Sequence, residues 1–197
     1  MKFSSVQNMD RIAFVLRRIG LSSITRFFRN ILNIFLADGI NINLNGNVFH
    51  ALLRDRDILY KIQDGTFEAE SVKLFQEILK PGMIIIDIGA FIGYYSVLAA
   101  RNIGPTGKIY SFEPDPTTYR FLNRNIQLNN LSNVFSVHKA VSNKSGTMEF
   151  YKNPLDSSMN SLIKRKGSKK IIQIECITID SFIGDQQVDI IKIYIEG

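Results

Sequence analysis

The segment MIIIDIGAFIG, residues 83–93, decides the fold predicted for this chain of 197 residues. Four apolar residues lead to Asp87, as in the buried strands of parallel sheets. Gly89 then allows a sharp turn, and Gly93 would let a helix approach the sheet closely. Residues 94–101 carry the pattern of that helix. The segment therefore predicts a strand, a glycine turn and a helix in succession.

The same alternation continues along the chain. A helix is predicted before the segment, over residues 68–80, and Pro81 and Gly82 end it. Further along, Asp115 and Pro116 have the pattern of a helix N-cap and first turn. The other strands are predicted over residues 108–112, 134–138 and 188–196. Strands that alternate with helices form a parallel sheet with helices on its faces, so the predicted fold class is α/β.

Two regions depart from this alternation. Residues 39–63 alternate in polarity and contain turn pairs at Asn45-Gly46 and Asp64-Gly65, which predicts a small β-meander. Residues 147–177 contain two strand-like segments around a basic loop at residues 164–170. The chain is therefore divided into a basic amphipathic helical extension (1–37), the meander (38–65) and a main domain (66–197).

Residues 1–37 carry most of the net charge. They hold six basic residues against one acidic residue, and so supply five of the six net positive charges of the chain. Their apolar spacing predicts two amphipathic helices, which we expect to cap the main domain. Contact with a membrane surface is the first alternative. Nucleic acid is a less favoured partner, because no aromatic platform accompanies the arginines.

Cysteine and histidine content restricts the kinds of site. Cys176 is the only cysteine and the chain has two histidines. A disulfide framework, a cysteine-based zinc site and a site built on several histidines are therefore excluded. We predict no metal and a cytoplasmic protein, peripheral to the membrane if residues 1–37 contact lipid.

The turn and the end of the next strand form a nucleotide-site pattern. Glu113 follows Gly89 by 24 residues, and a carboxylate at that strand end can accept hydrogen bonds from both ribose hydroxyls. Dinucleotide sites have the pattern G-x-G-x-x-G, whereas Gly89 and Gly93 form G-x-x-x-G. Asp87 would repel a diphosphate and could hold an ammonium group, which favours S-adenosylmethionine over a dinucleotide. The alternative is a tight turn that binds no nucleotide.

Seven short motifs follow one another in the main domain. They are LKPG (79–82), IDIGAFIGYY (86–95), SFEP (111–114), NIQLNN (125–130), AVS (140–142), ITIDSF (177–182) and DIIKIYIEG (189–197). Together they resemble the motifs of FkbM-type class I methyltransferases, over residues 66–197. The resemblance implies a Rossmann-like sheet of strand order 3-2-1-4 and S-adenosyl-L-methionine as methyl donor. It also implies O-methylation of a hydroxyl on a sugar, a lipid or a secondary metabolite.

The resemblance also assigns residues to the site. Those implied to bind the cofactor are Asp87, Gly89, Ala90, Phe91, Gly93, Glu113, Pro114 and Ala140. Lys192, Tyr194 and Glu196 are implied to lie on the catalytic floor beside the acceptor. They share the polar face of the last strand, opposite the apolar face of Ile191, Ile193 and Ile195.

The sequence departs from the family pattern in three places. Phe91 stands where the family usually has Asn, and Tyr194 stands where an Asp is expected. The chain also ends at Gly197, so the later strands of the family's sheet are missing from it. We expect a second copy or a partner chain to cover the edge of the fourth strand. A donor-binding module without catalysis is therefore the first alternative function, and a dinucleotide-dependent enzyme is a less favoured one.

Overall fold

The computed structural model describes residues 39–44, 46–52, 55–152, 160–163 and 170–195, together with six positions among the first 18. Those six positions are helical and exposed, and they include Ile12 and Val15, which are 59% and 57% exposed. The rest of residues 1–37, and most of the predicted basic loop, lie outside the described residues. Ile12 and Val15 are not buried against the main domain, and capping of that domain by residues 1–37 stays a prediction.

The helices and strands of the described residues run in the following chain order. They are β1 (Ile40–Leu44), β2 (Asn47–Ala51), α1 (Arg56–Gln63), α2 (Ala69–Ile78), β3 (Ile84–Ile88), α3 (Tyr94–Ile103), β4 (Lys108–Phe112), α4 (Pro116–Leu128), β5 (Val134–Val137), β6 (Ala140–Val141), β7 (Gly146–Lys152), β8 (Lys170–Ile177), α5 (Ile179–Ile183) and β9 (Ile190–Ile193). Helix α5 is absent from the sequence-based prediction. Its N-cap is Thr178, whose hydroxyl accepts a hydrogen bond from the N–H of Ser181.

The central sheet has the predicted topology. Its described strands are all parallel and lie in the order β5-β4-β3-β9, which is 3-2-1-4 when the strands are numbered from β3. Helices α3 and α4 cover one face, where Ile85 and Leu122 are fully buried. Helix α5 covers the other face through Phe182, whose ring meets that of Phe112 edge-on at 4.9 Å between centroids. The predicted α/β class with helices on both faces is confirmed.

The predicted β-meander is correct in its first half and wrong in its second. Strands β1 and β2 form an antiparallel hairpin, but residues 56–63 form helix α1. Leu59 and Ile62 are spaced by about one helical turn and are buried. Asp57 in the first turn and Lys61 in the last turn match the helix dipole. This helical spacing outweighs the alternation that predicts a strand.

The hairpin and α1 share a hydrophobic core with the main domain. Ile42, Phe49 and Leu59 pack in one cluster with Ile92 and Val97, all at most 3% exposed. This core extends across the predicted boundary at residue 65, and the division of the chain into domains stays a prediction.

Asn125 of α4 and Asn129, which follows the last residue of that helix, hold the outer edge of β2. The side chain of Asn125 accepts from the N–H of His50 at 2.6 Å and donates to its carbonyl oxygen at 3.1 Å. Asn129 does the same at Val48, with distances of 2.9 and 2.7 Å. Each amide thus replaces one residue of a neighbouring strand, and the hairpin is fixed in register on α4.

A second sheet has the strand order β6-β8-β7, and its core contains Phe150, Ile174 and Cys176. Because β6 begins three residues after β5 ends, this sheet starts beside the carboxyl edge of the central sheet.

Among the described residues, no helix has the length and apolar character needed to span a membrane.

Candidate functional site

A cavity lies at the carboxyl ends of β3, β4 and β9. Ligands of parallel α/β sheets bind at this edge. The turn after β3 contributes residues 89–91, and the end of β4 contributes Glu113 and Pro114. The rest of the described lining comes from α1, α3, β9, the second sheet and the segments that follow α1, β5, β7 and β9.

The turn after β3 requires glycine at position 89. Gly89 has a φ of 73°, in the left-handed region that favours glycine. The N–H groups of Gly89 and Ala90 donate to the carbonyl oxygen of Phe112 at 3.0 and 2.9 Å. A Cβ at Gly89 would collide with the carbonyl oxygen of Tyr194. The turn therefore brings the ends of β3, β4 and β9 together at one point.

Phe91 also lies in this turn and has a φ of 54°. Non-glycine residues adopt this conformation at a cost of about 1–2 kcal/mol, and Asn adopts it more readily than Phe. The N–H of Phe91 donates to Glu113 Oε2 at 2.9 Å, and its ring packs against the core of β1, β2 and α1. Phe at this position keeps the turn and adds an apolar surface to the cavity.

Glu113 is buried to 7% exposure and lines the cavity. Its Oε1 accepts from the N–H of Asp115 and its Oε2 from the N–H of Phe91, both at 2.9 Å. Burial raises the pKa of Glu113 to about 8, although these two N–H groups favour its charged form. Each oxygen keeps a lone pair, so the ionised carboxylate can accept two further hydrogen bonds.

Asp115 caps α4 and ties the second sheet to it. Its Oδ1 accepts from the N–H groups of Thr117 and Thr118 at 2.8 and 3.0 Å. Its Oδ2 lies 2.5 Å from the ammonium of Lys152 and 3.2 Å from the amide nitrogen of Asn160. Burial opposes the charge, but Lys152 and the N–H groups hold the pKa of Asp115 below its ordinary value. This carboxylate therefore fixes the start of α4 to the end of β7.

Asp87 and Lys192 form an ion pair at the base of the turn. They are register partners on β3 and β9, and the ammonium lies 2.9 Å from Asp87 Oδ1. Asp87 Oδ2 accepts from the hydroxyl of Ser96 at 2.6 Å, which lies 2.7 Å from that of Ser111. Lys192 belongs to the described cavity lining, whereas Asp87, at 2% exposure, lies behind it.

The structure brings most of the predicted cofactor-binding residues to the cavity. Those that line it are Gly89, Ala90, Phe91, Glu113, Pro114 and Ala140. Gly93 serves packing, since a Cβ there would lie 2.7 Å from Leu122. Of the predicted catalytic residues, Lys192 and Tyr194 reach the cavity, and Glu196 lies outside the described residues. The chemical roles of these residues stay predictions.

The sequence does not predict two groups of lining residues. Ile58, Ile62 and Phe67 come from α1 and the segment after it. The helical spacing of 58 and 62 is the signal that could have indicated them. Phe150 comes from β7 and residues 160–162 from the segment after it, which is held by the pairing of Ser161 with Tyr151 and by the contact of Asn160 with Asp115.

Residues 87–197, more than half of the chain, match the family model described as "Methyltransferase FkbM domain". The chain belongs to this family. The FkbM methyltransferase domain is an S-adenosylmethionine-dependent class I domain, so the predicted family and cofactor are confirmed.

This FkbM chain is similar to several known proteins over parts of their length. It is 42% identical over 65 residues to methyltransferase sdnD of Sordaria araneosa, which is 32% of this chain and 25% of that protein. It is 26% identical over 135 residues to the tRNA(Phe) (4-demethylwyosine(37)-C(7)) aminocarboxypropyltransferase of Methanocaldococcus jannaschii, which is 65% of this chain and 53% of that protein. The solved structure of M. jannaschii TYW2 with AdoMet is 27% identical, covers 51% of this chain and 42% of that one, and has a TM-score of 0.41. The chain spans between a quarter and about half of the curated relatives it matches.

The residues of the FkbM site fit S-adenosylmethionine. Glu113 has the free lone pairs that ribose hydroxyls need. Ala140, Val141 and Phe150 give an apolar wall suited to adenine. Lys192 adds an ammonium to the lining, paired at 2.9 Å with the buried Asp87 behind it. The lining thus combines acceptors for hydroxyl groups, an apolar wall and a charged group, which suits a nucleoside with a zwitterionic side chain.

Proposed function

We propose that this chain transfers a methyl group from S-adenosylmethionine to a hydroxyl oxygen of a sugar, a lipid or a secondary metabolite. One observation carries the proposal. Glu113 is a buried carboxylate with both oxygens oriented by backbone N–H groups, and it borders a cavity at the carboxyl edge of a parallel sheet. This is the arrangement that binds the ribose of a nucleoside.

The proposed roles follow from position along the cavity. Glu113 accepts hydrogen bonds from the ribose, and Ala140 lies with the adenine. S-adenosylmethionine supplies an electrophilic methyl group on a positively charged sulfur. Tyr194 lines the cavity at the end of β9, beside the turn at Gly89, and so borders the acceptor side. The acceptor hydroxyl loses its proton to water or to a nearby base as its oxygen takes the methyl group.

The acceptor side of the wall is apolar. Ile58, Ile62 and Phe67 line it together with the rings of Tyr94 and Tyr95. This supports an acceptor with an apolar surface next to its hydroxyl, as a lipid or an aromatic metabolite has. One relative is named for tRNA(Phe). The comparisons therefore do not support the prediction that disfavours a nucleic-acid partner. RNA is therefore one of the acceptors to be tested.

Calorimetry tests the donor. We expect S-adenosylmethionine and S-adenosylhomocysteine to bind and NAD not to bind. At pH 9, where most of Glu113 is ionised, Glu113→Ala should weaken donor binding by about 1.5–3 kcal/mol, the range for hydrogen bonds to a charged group. Glu77→Ala, which removes an exposed carboxylate from α2, is the control and should change nothing. Absence of donor binding by the folded protein would refute the proposal.

Transfer of a labelled methyl group tests the acceptor. The chain is incubated with labelled S-adenosylmethionine and with lipid, oligosaccharide, metabolite and RNA fractions in parallel. Label in a lipid, sugar or metabolite fraction, stable to mild alkali as an ether is, is the expected result. Label in RNA alone would replace the hydroxyl metabolite by a nucleic-acid acceptor.

A donor-binding module that needs a partner chain is the second candidate. Among the described strands, β9 pairs with β3 alone. Ile191 and Ile193 of β9 are 47% and 61% exposed, which supports a partner at this edge. Donor binding without methyl transfer to any fraction would favour this candidate.

A further inference from the structure

The charge that faces the cavity beside the Gly89 turn is positive. Lys192 lines the cavity with a side chain that is 13% exposed, while Asp87 is 2% exposed and lies behind it. The sequence suggests that Asp87 meets the ammonium group of the donor directly. The structure places the ammonium of Lys192 against that carboxylate instead.

Lys192 is held in one place by four neighbours. Its ammonium lies 2.9 Å from Asp87 Oδ1 and donates to the carbonyl oxygen of Gly89 at 3.3 Å. It also lies 4.8 Å from the ring centre of Tyr95 and 5.4 Å from that of Tyr194. Cation–π contacts of this kind restrict an ammonium without using its directed hydrogen bonds. Of its three N–H donors, one goes to the carbonyl oxygen of Gly89 and one faces the carboxylate of Asp87. The ammonium therefore keeps a donor for a ligand.

Asp87 is itself held from behind. The hydroxyl of Ser96 donates to Asp87 Oδ2 and lies 2.7 Å from the hydroxyl of Ser111. Ser111 is the register partner of Asp87 on β4. All three residues are at most 2% exposed. The carboxylate can therefore orient Lys192 without contacting the ligand.

We propose that Lys192 binds the carboxylate of the amino-acid end of S-adenosylmethionine, and that Asp87 is the residue that positions it. This rests on the donor assigned under the proposed function. The donor has one anionic group, its carboxylate, and two cationic groups, its ammonium and its sulfonium. A lysine that faces the cavity attracts only the first, through a charge-assisted hydrogen bond. Lys192 thus acts on the donor, and not on the acceptor as the family resemblance implies.

The test compares two ligands that differ only in the carboxylate. S-adenosylmethionine and decarboxylated S-adenosylmethionine are titrated calorimetrically into the wild-type chain and into Lys192→Met. We expect the wild type to bind S-adenosylmethionine at least tenfold more tightly than the decarboxylated ligand. In Lys192→Met the uncompensated charge of Asp87 repels a carboxylate and attracts an ammonium. The preference should therefore disappear or reverse.

Two further variants serve as controls for the role of Lys192. Asp87→Asn combined with Lys192→Met leaves no buried charge unpaired, so it is measured if the single variant fails to fold, and its preference should fall to about onefold. Lys139→Met removes another cavity-lining lysine, which pairs with the exposed Glu175, and should leave the preference unchanged. Equal binding of both ligands by the wild type, or an equal loss for both in the variants, would overturn the role of Lys192. S-adenosylmethionine would still bind in that case, so the proposed function would stand.

Discussion

Donor binding is expected to depend on pH through Glu113. Ribose hydroxyls donate hydrogen bonds, so they bind the ionised carboxylate and compete with its proton. With a pKa of about 8, roughly a tenth of the Glu113 side chains are ionised at pH 7 and about nine tenths at pH 9. The affinity for a ribose-containing ligand should therefore rise about tenfold from pH 7 to pH 9.

The stability of the free protein should move in the opposite direction. The pKa of Glu113 is raised in the folded state, so its contribution to stability is complete below the pKa of the unfolded chain. That contribution is lost as the pH rises through about 8. Alkaline pH should thus weaken the free fold at this residue while it strengthens binding.

Methylthioadenosine is the suitable ligand, because it has the ribose and adenine of the donor but no titrating amino-acid group. Calorimetry at pH 6 to 9, in buffers of different ionisation enthalpy, gives the affinity and the protons exchanged. Near pH 7, binding should release about 0.9 proton for each ligand bound. Glu113→Gln removes the titrating group and should bind with a flat pH profile. A flat profile for the wild type, or the same slope in the variant, would refute the assignment of Glu113.

Three further changes test the scaffold around the site. Gly89→Ala adds a Cβ that meets the carbonyl oxygen of Tyr194. We expect urea denaturation to show a loss of about 2–4 kcal/mol in the free energy of unfolding. A loss of less than about 1 kcal/mol would show that the turn relaxes and would contradict the requirement for glycine. Asn125→Ala leaves the backbone groups of β2 without partners and should cost about 2–4 kcal/mol in the same assay, and an unchanged midpoint would contradict the role of this amide. Asp115→Ala should cost about 1–3 kcal/mol at pH 7 through loss of the cap and of the Lys152 pair. Because the pKa of Asp115 is lowered in the fold, the difference from wild type should shrink as the pH falls towards acid, and a constant difference would count against its charge.

The features that the sequence predicts correctly depend on neighbouring residues in the chain. The apolar run before Asp87, the glycine at 89 and the Asp115-Pro116 start of α4 are local signals, and all lie where predicted. The strand prediction over residues 56–63 fails because a mixed run of charged and apolar residues fits both periods, and the burial of Leu59 decides for a helix.

The features that the sequence does not predict depend on contacts between distant segments. That Lys192 stands in front of Asp87 follows from the register of β9 on β3, and the spacing of the two residues along the chain does not contain it. The raised pKa of Glu113 follows from the burial that the whole sheet edge creates. Residues 160–162 reach the cavity through the backbone pairing of Ser161 with Tyr151 and the contact of Asn160 with Asp115, 45 positions away.

The amides of Asn125 and Asn129 also have a consequence for association between molecules. The N–H and C=O groups of Val48 and His50 point away from β1, and in a bare hairpin they would form an open strand edge. An open edge of this kind is a template for strands of other molecules and a starting point for aggregation. Here the side-chain amides of Asn125 and Asn129 bind these N–H and C=O groups, so the strand edge is closed within the same molecule. Substitution of either asparagine would therefore expose a surface at which chains can join into fibres.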